Sequence, residues 1–131
     1  MALELSRAVL DALLAEARAA APEEACGILL GQGGRISELI PARNVHALPA
    51  THFEIDPAVL IAAYRAERVG GPAVLGFYHS HPNGQGEPSA SDFASAAHDG
   101  RVWAIVAAGD VSFWRDGEAG FARLSYVVNQ R

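Results

Sequence analysis

The chain of 131 residues is half apolar, and a chain of this kind can bury the core of one compact domain, which we expect to span residues 1–131. Ten basic against 15 acidic residues give a formal net charge of −5, which argues against nucleic acid or a membrane surface as the main partner, because both are bound chiefly through basic patches. The single cysteine excludes an internal disulfide.

The amino-terminal segment predicts a helix rather than a targeting signal. Ser6 can cap a helix that Pro22 ends. A secretory signal needs a basic and then a purely apolar segment, which Glu4 and Asp11 interrupt, and no apolar run approaches the roughly 18 residues that span a bilayer. We therefore expect a cytoplasmic protein. The apolar residues of the helix, at helical spacing, are Val9, Leu10, Leu13, Leu14 and Ala17.

A hairpin and a second helix follow. The apolar run 26–31 ends at the turn GQGG, and residues 35–40 alternate in the manner of a partner strand. After the irregular stretch 41–55, Asp56 can cap a helix that has Pro57 at its first position. The apolar face of this helix comprises Val59, Leu60, Ala63 and Tyr64.

The second half of the chain is rich in predicted strands. Residues 73–81 form a strand of β-forming residues, and a loop rich in proline and glycine leads to a third helix from about Ser89. Strands at 102–108, 111–115 and 121–128 are separated by short turns. This order of elements predicts an α/β fold with a mixed sheet between helices.

Two histidines stand two residues apart at the end of the central strand. Because side chains alternate across a strand, His79 and His81 point to the same side, with Ser80 opposite. Pro82 then releases the chain, which places both imidazoles at the carboxyl end of the strand, where open α/β sheets usually bind ligands. Asp92, in the first turn of the next helix, can return over this end. Two imidazoles, one carboxylate and an open fourth position describe a catalytic zinc site.

A purely structural interpretation of these residues is also available. Ser89 and Asp92 fit the Ncap and N3 positions of a capping box, and two histidines near a strand end also occur without a metal. The two patterns together favour the metal site far more strongly than either does alone.

The segment HSHP, followed after six residues by SASD, resembles the JAMM signature of the MPN metalloprotease family, H-[ST]-H-P-x6-S-x-x-D, without gap or substitution. The segment PEEACG resembles the family's P-x-E-x-C-G, which points to Glu24 and leaves Glu23 as a surface residue. The stretch RN…FEIDP at 43–57 is similar to that of short bacterial members. The resemblance implies an MPN domain, a curved mixed sheet flanked by helices, related in layout to the cytidine deaminases.

The resemblance also implies a mechanism. A zinc ion held by His79, His81 and Asp92 lowers the pKa of bound water to about 7 and polarises the carbonyl under attack. Glu24, which is not a ligand, takes a proton from the water and passes it to the leaving nitrogen or sulfur. Ser89 hydrogen-bonds the oxyanion as charge develops there.

The implied substrate lies at the carboxyl end of a ubiquitin-like protein. Short bacterial relatives act beside sulfur-carrier proteins that end in Gly-Gly, so we expect an amide, isopeptide or thioester-derived adduct at that glycine. The bare domain lacks room for the insertions with which eukaryotic relatives hold a ubiquitin chain, which favours a sulfur carrier over a deubiquitinase. A phage-tail-type peptidase and a non-catalytic MPN scaffold are the alternatives. A zinc deaminase is excluded, because one cysteine cannot supply H-x-E with P-C-x-x-C.

Other notable residues lack partners at catalytic spacing. Cys26 lies in an apolar strand and is expected in the core. Asn83 and Gly84 follow the histidines, either as a plain loop or as a close path for a substrate backbone. The sequence does not fix the oligomeric state. We expect core positions for two tryptophans, Trp103 and Trp114, and solvated or locally hydrogen-bonded rings for three histidines, His46, His52 and His98.

Overall fold

One mixed sheet of eight strands forms the body of the protein, and the computed structural model describes residues 2–130. The strands are β1 (Leu3–Ser6), β2 (Cys26–Gln32), β3 (Arg35–Ala42), β4 (Ala73–Ser80), β5 (Val102–Ala107), β6 (Asp110–Gly117), β7 (Gly120–Leu124) and β8 (Tyr126–Asn129). The helices are α1 (Arg7–Ala20), α2 (Pro57–Arg68) and α3 (Ala90–Ser95). The strand order in the sheet is β7-β6-β5-β4-β2-β3-β1-β8.

The sheet is curled, and the chain connectivity requires this. β7 and β8 lie at opposite edges of the strand order, yet only Ser125 separates them in sequence. Ser125 O accepts a hydrogen bond from Leu3 N at 3.1 Å, which joins β1 to this connection. The two edges of the sheet therefore approach one another, as the expected curved sheet requires.

Two hydrophobic cores lie on opposite faces of the sheet. Leu29 of β2 packs in a core with Leu13 of α1, whereas its neighbour Ile28 packs in a second core with Ala63 of α2. Alternation of side chains along the strand explains this division. The predicted arrangement of a sheet between helices is therefore confirmed. Within residues 2–130, no helix is long and apolar enough to cross a membrane.

The helices begin where the sequence predicts. Ser6 Oγ accepts a hydrogen bond from Val9 N at 3.2 Å at the start of α1. The carboxylate of Asp56 accepts from Ala58 N at 3.0 Å at the start of α2, with Pro57 in its first turn. Each cap satisfies a backbone N–H group that has no partner within the helix.

Two strand predictions need correction. Residues 3–6 form β1, parallel to β3 and β8, although the sequence analysis assigned no strand before α1. The predicted strand 121–128 is divided at Ser125 into β7, which pairs with β6, and β8, which pairs with β1. Both errors have one cause: a four-residue strand carries little periodicity, and the partners of β1 and β8 are distant in sequence.

Candidate active site

His79, His81 and Asp92 meet at the carboxyl end of β4, and all three are buried. The two Nε2 atoms lie 3.0 Å apart. Asp92 Oδ2 lies 3.1 Å from His79 Nε2 and 3.0 Å from His81 Nε2. Three ligand-type atoms thus converge on one point, at separations close to the roughly 3.3 Å expected between ligands of a tetrahedral zinc ion.

β4 and its neighbours fix the two histidine rings. His79 lies in β4 between Cys26 of β2 and Ile105 of β5, and its ring stacks on Phe53 at 4.2 Å between centroids. Just beyond β4, His81 Nδ1 lies 2.7 Å from the carbonyl oxygen of Gln85. Because a carbonyl only accepts, this contact places the proton on Nδ1 and leaves the Nε2 lone pair directed at the centre.

The charges of the three side chains are coupled. Burial lowers the pKa of His79, which favours the neutral ring that binds a metal. Burial also disfavours the charged form of His81, but hydrogen bonds to Asp92 and Gln85 O raise its pKa. Although burial opposes ionisation of Asp92, hydrogen bonds with both histidines hold its pKa well below the usual range. Asp92 is thus an anion between two imidazoles.

The first residues of α3 contact the two histidines through Asp92. Ser89 Oγ accepts from Asp92 N at 3.1 Å, and Asp92 Oδ2 accepts from Ser89 N at 2.9 Å, which makes a reciprocal capping box. The same Oδ2 atom contacts both histidines. The capping contact of Asp92 is therefore compatible with a metal-binding role, which stays a prediction. The catalytic role of Ser89 stays a prediction.

Glu24 lies between α1 and β2 and is 6% exposed, whereas Glu23 is exposed. A carboxylate oxygen of Glu24 and one ring nitrogen each of His79 and His81 lie within 4.8 Å of one another, a spacing that suits a shared metal ion. Burial raises the pKa of Glu24 to about 7, while His81 lowers it and Asp92 raises it. Two carboxylates, not one, therefore face the histidine pair.

The backbone around Glu24 is held from both sides. Glu24 N donates to Pro49 O at 2.7 Å. The next residue, Ala25, donates its N–H to Ser80 Oγ at 2.7 Å and accepts at its carbonyl from Ser80 N at 3.0 Å. Ser80, on the opposite side of β4 from the two histidines, thus ties the Glu24 segment to the strand that carries them.

Asn44 is the organising residue that the sequence analysis missed. Its Nδ2 donates to Glu24 O and His52 O, both at 3.0 Å, with Pro49 O at 3.4 Å. Only the RN…FEIDP resemblance drew attention to this stretch. On the other side of the same amide group, Asn44 Oδ1 accepts hydrogen bonds at 3.1 Å from two backbone N–H groups, those of His46 and Glu54.

Residues 6–117 match the family model of prokaryotic homologues of the JAB domain. The chain belongs to this family. Its sequence is 35% identical over 109 residues to a desampylase of Haloferax volcanii, covering 79% of this chain and 78% of that one. It is 34% identical over 96 residues to a probable TtuB-protein conjugate cleaving protease of Thermus thermophilus, covering 73% and 64%.

The solved structure of a protein from Desulfitobacterium hafniense has the fold of this JAB domain, with a TM-score of 0.85 at 27% identity. The alignment covers 98% of this chain and 94% of that one. The expected single JAB/MPN domain is therefore confirmed as the fold.

A groove of about 300 Å³ opens beside His81 in this JAB domain. It runs between the end of α1 and the turn from β5 to β6. Small residues dominate its walls, which leaves space for a backbone that approaches closely. The lining includes Ala17, Ala21, Ala107, Ala108 and Gly109.

The other residues that the sequence analysis singled out are neither proposed metal ligands nor proposed acid–base groups. Cys26 is buried in the second core, as expected, and burial raises its pKa to about 12. His52 Nδ1 lies 2.8 Å from Thr51 Oγ1, a local hydrogen bond of the expected kind, and its Nε2 lies 3.1 Å from Ser91 Oγ of α3. Asn83 and Gly84 are exposed, and Gly84 has a φ of +84°, which suits a turn.

Proposed function

We propose that this protein is a zinc-dependent JAMM metalloprotease that hydrolyses an amide, isopeptide or thioester-derived bond at the carboxyl-terminal glycine of a ubiquitin-like or sulfur-carrier protein. The observation that carries the proposal is the contact of Asp92 Oδ2 with both histidine Nε2 atoms at 3.0–3.1 Å, beside the buried Glu24. The two relatives, named as a desampylase and as a protease that cleaves protein conjugates, support this substrate class.

The proposed ligands are His79, His81 and Asp92. Two carboxylates compete for the third position, and Asp92 is favoured because its Oδ2 already lies within hydrogen-bond distance of both rings. Two neutral nitrogen donors and one carboxylate form a set that suits zinc and leaves a position open. When bound, zinc supplies Lewis-acid polarisation of the carbonyl and activation of water.

Glu24 then serves as the general base and acid. Its buried carboxylate, which faces the histidine pair, accepts a proton from the attacking water and returns it to the leaving nitrogen or sulfur. The backbone contacts to Pro49, Asn44 and Ser80 described above hold it in place for both transfers.

Ser89 has one hydrogen-bond donor available for the oxyanion. A hydroxyl can donate one hydrogen bond and accept two. Ser89 Oγ already accepts from Asp92 N, and that contact leaves the hydroxyl proton unused. We assign this proton to the oxygen of the scissile carbonyl as negative charge develops on it.

The groove beside His81 is assigned to the carrier tail. A terminal Gly-Gly has no side chains, so its extended backbone can lie close to small lining residues such as Ala21 and Gly109.

The test is release of product from defined conjugates. Zinc-loaded protein is incubated with Gly-Gly carrier proteins that are joined through the terminal glycine to a lysine side chain or to cysteine, and products are followed by mass. We expect cleavage at that glycine, with loss of both cleavage and bound zinc in the His79→Ala, His81→Ala variant.

Each contrary result has its own meaning. A full equivalent of zinc in the double variant would place the metal elsewhere. Intact conjugates after incubation with the zinc-loaded wild type would favour a non-catalytic binding module. A ubiquitin conjugate in the same assay separates a deubiquitinase from a carrier-specific enzyme.

A further inference from the structure

A second cavity, of about 280 Å³, lies beside aromatic residues that pack on the His79 ring. Two of its lining residues touch the His79 ring: Phe53 stacks on it at 4.2 Å, and Trp103 meets it edge-on at 5.6 Å, both measured between centroids. One layer of rings therefore separates this cavity from the proposed ligands. The mechanism above does not use it.

Asp116 lies in the wall of this cavity, and its side chain is 1% exposed. Its Oδ2 accepts from His98 N at 3.0 Å. Its Oδ1 has no hydrogen-bond partner in the described part of the chain. His98 Nδ1 is 3.5 Å from Oδ1, but it is 3.0 Å from Gly117 O, a carbonyl to which it must donate. A buried carboxylate oxygen without a donor is costly and marks a place for one.

The charge around the cavity is negative. Asp99 and Glu54 also line it. Asp99 is paired with Arg101, whose Nη1 lies 2.9 Å from its Oδ2, and the Arg101 guanidinium lies over the Tyr64 ring. Within residues 2–130, the carboxylates of Asp116 and Glu54 have no arginine or lysine partner, and the nearest cationic group to Asp116 Oδ1 is the His98 ring at 3.5 Å.

Apart from Ser95, the rest of the lining is apolar and partly aromatic, so the cavity combines an apolar path with a carboxylate beside it. An arginine side chain matches both parts, because its stem is aliphatic and its planar cation both stacks on rings and donates to carboxylates. The apolar lining residues are Phe53, Ile55, Pro57, Leu60, Phe77, Ala97 and Trp103.

We propose that this cavity binds an arginine side chain of the substrate protein, with the guanidinium on Asp116 Oδ1 and the stem along Phe53 and Trp103. The proposal rests on the proposed function and adds a specificity site to it. The cavity lies one layer of rings beyond the proposed metal ligands, and an extended substrate backbone advances about 3.3 Å per residue. We therefore expect the arginine about two to five residues from the scissile bond of the substrate.

The first test needs no catalysis. The protein, labelled with ¹⁵N, is titrated with butylguanidinium and, in parallel, with butylurea, its neutral isostere. We expect a saturable shift of the Trp103 indole signal with butylguanidinium alone. The Trp114 indole, which donates to Ser112 Oγ at 2.9 Å outside the cavity, is the internal control. Equal shifts with both compounds, or no shift, would overturn the proposal.

Two variants test whether butylguanidinium binds in this cavity. Asp116→Asn keeps an oxygen to accept from His98 N but removes the charge, and should abolish the preference for butylguanidinium. Should that variant fail to fold, Ala97→Leu fills the cavity from an exposed position of its lining and should block binding without touching Asp116. Unchanged binding in the folded variants would place the ligand elsewhere.

The second test uses conjugates in which arginine is replaced by citrulline at each of the positions about two to five residues from the scissile bond. At one position we expect the KM of the wild type to rise about tenfold, with kcat little changed, and the KM of Asp116→Asn to rise less than about twofold. An equal response of both proteins would contradict the site. If no conjugate is cleaved, the proposed function fails, while the titration still decides the cavity.

Discussion

At the scale of single residues, burial of Glu24 has a consequence for stability that can be measured after metal is removed by chelation. The pKa of about 7 in the folded protein exceeds the ordinary value of 4.5, so between these values the folded state holds more proton than the unfolded state. The free energy of unfolding therefore falls as pH rises from about 4.5 to 7, by at most about 1.4 kcal/mol per pH unit.

Chemical denaturation of the metal-free protein across this pH range measures the effect. Glu24→Gln is the matched control, because it keeps the shape of the side chain and cannot titrate. We expect the wild type to lose stability relative to this variant as pH rises. Parallel curves for the two proteins would contradict a raised pKa.

Asn44 gives a second prediction at this scale. Asn44→Ala removes the donor for Glu24 O and His52 O and leaves backbone groups of the 44–54 loop without partners. We expect a loss of about 2–4 kcal/mol in the free energy of unfolding and a lower kcat with zinc still bound, because the Glu24 backbone loses a fixed contact.

Asn83→Ala is the control for stability, since Asn83 is exposed and its Oδ1 accepts a local hydrogen bond from Gln85 N at 3.0 Å. Its stability should change by less than about 0.5 kcal/mol. If Asn44→Ala were as stable as this control and turned over at the wild-type rate, the loop would not hold Glu24.

At the scale of elements, the contact between β2 and its neighbours leaves no room at Gly27. A Cβ atom there would lie 2.3 Å from Ile40 O of β3 and 2.4 Å from the ring of the buried Tyr78 of β4. We expect Gly27→Ala to cost about 1–3 kcal/mol or more in unfolding free energy, because neither neighbour can withdraw without disturbing the sheet.

Thermal unfolding compares this variant with Gly86→Ala, whose Cβ would meet nothing within 4 Å. Gly86→Ala should melt close to the wild type. A Gly27→Ala protein with an unchanged melting temperature would show that β2 and β4 are less closely packed than described.

The sequence could predict the parts of the site that lie on regular elements, but not the contacts that depend on loops. The shared side of His79 and His81 follows from strand alternation, and α3 follows from its capping residues. The role of Asn44 could not be predicted, because its partners are backbone groups of an irregular loop whose conformation has no periodic pattern. Asp116 was missed for a similar reason: its burial depends on how the 98–101 loop folds over β6.

At the scale of the whole molecule, the curl of the sheet brings the parts together. The chain leaves β7 at one edge and enters β8 at the other after a single residue, which encloses the core around α1. Composition and element order predicted the α/β class, but not this closure, which depends on pairing between β1 and β8 across more than a hundred residues. The family resemblance, not periodicity, supplied the expectation of a curved sheet.

The measurement that tests the central claim most directly is the turnover of Glu24→Gln against Glu23→Gln, both loaded with zinc, on a conjugate that the wild type cleaves. Loss of the general base should lower kcat of Glu24→Gln by about 10² to 10⁴, with zinc content retained. Glu23→Gln, changed at the exposed neighbour, should remain close to the wild type. Equal rates for the two variants, or cleavage by Glu24→Gln at the full rate, would contradict Glu24 as the base.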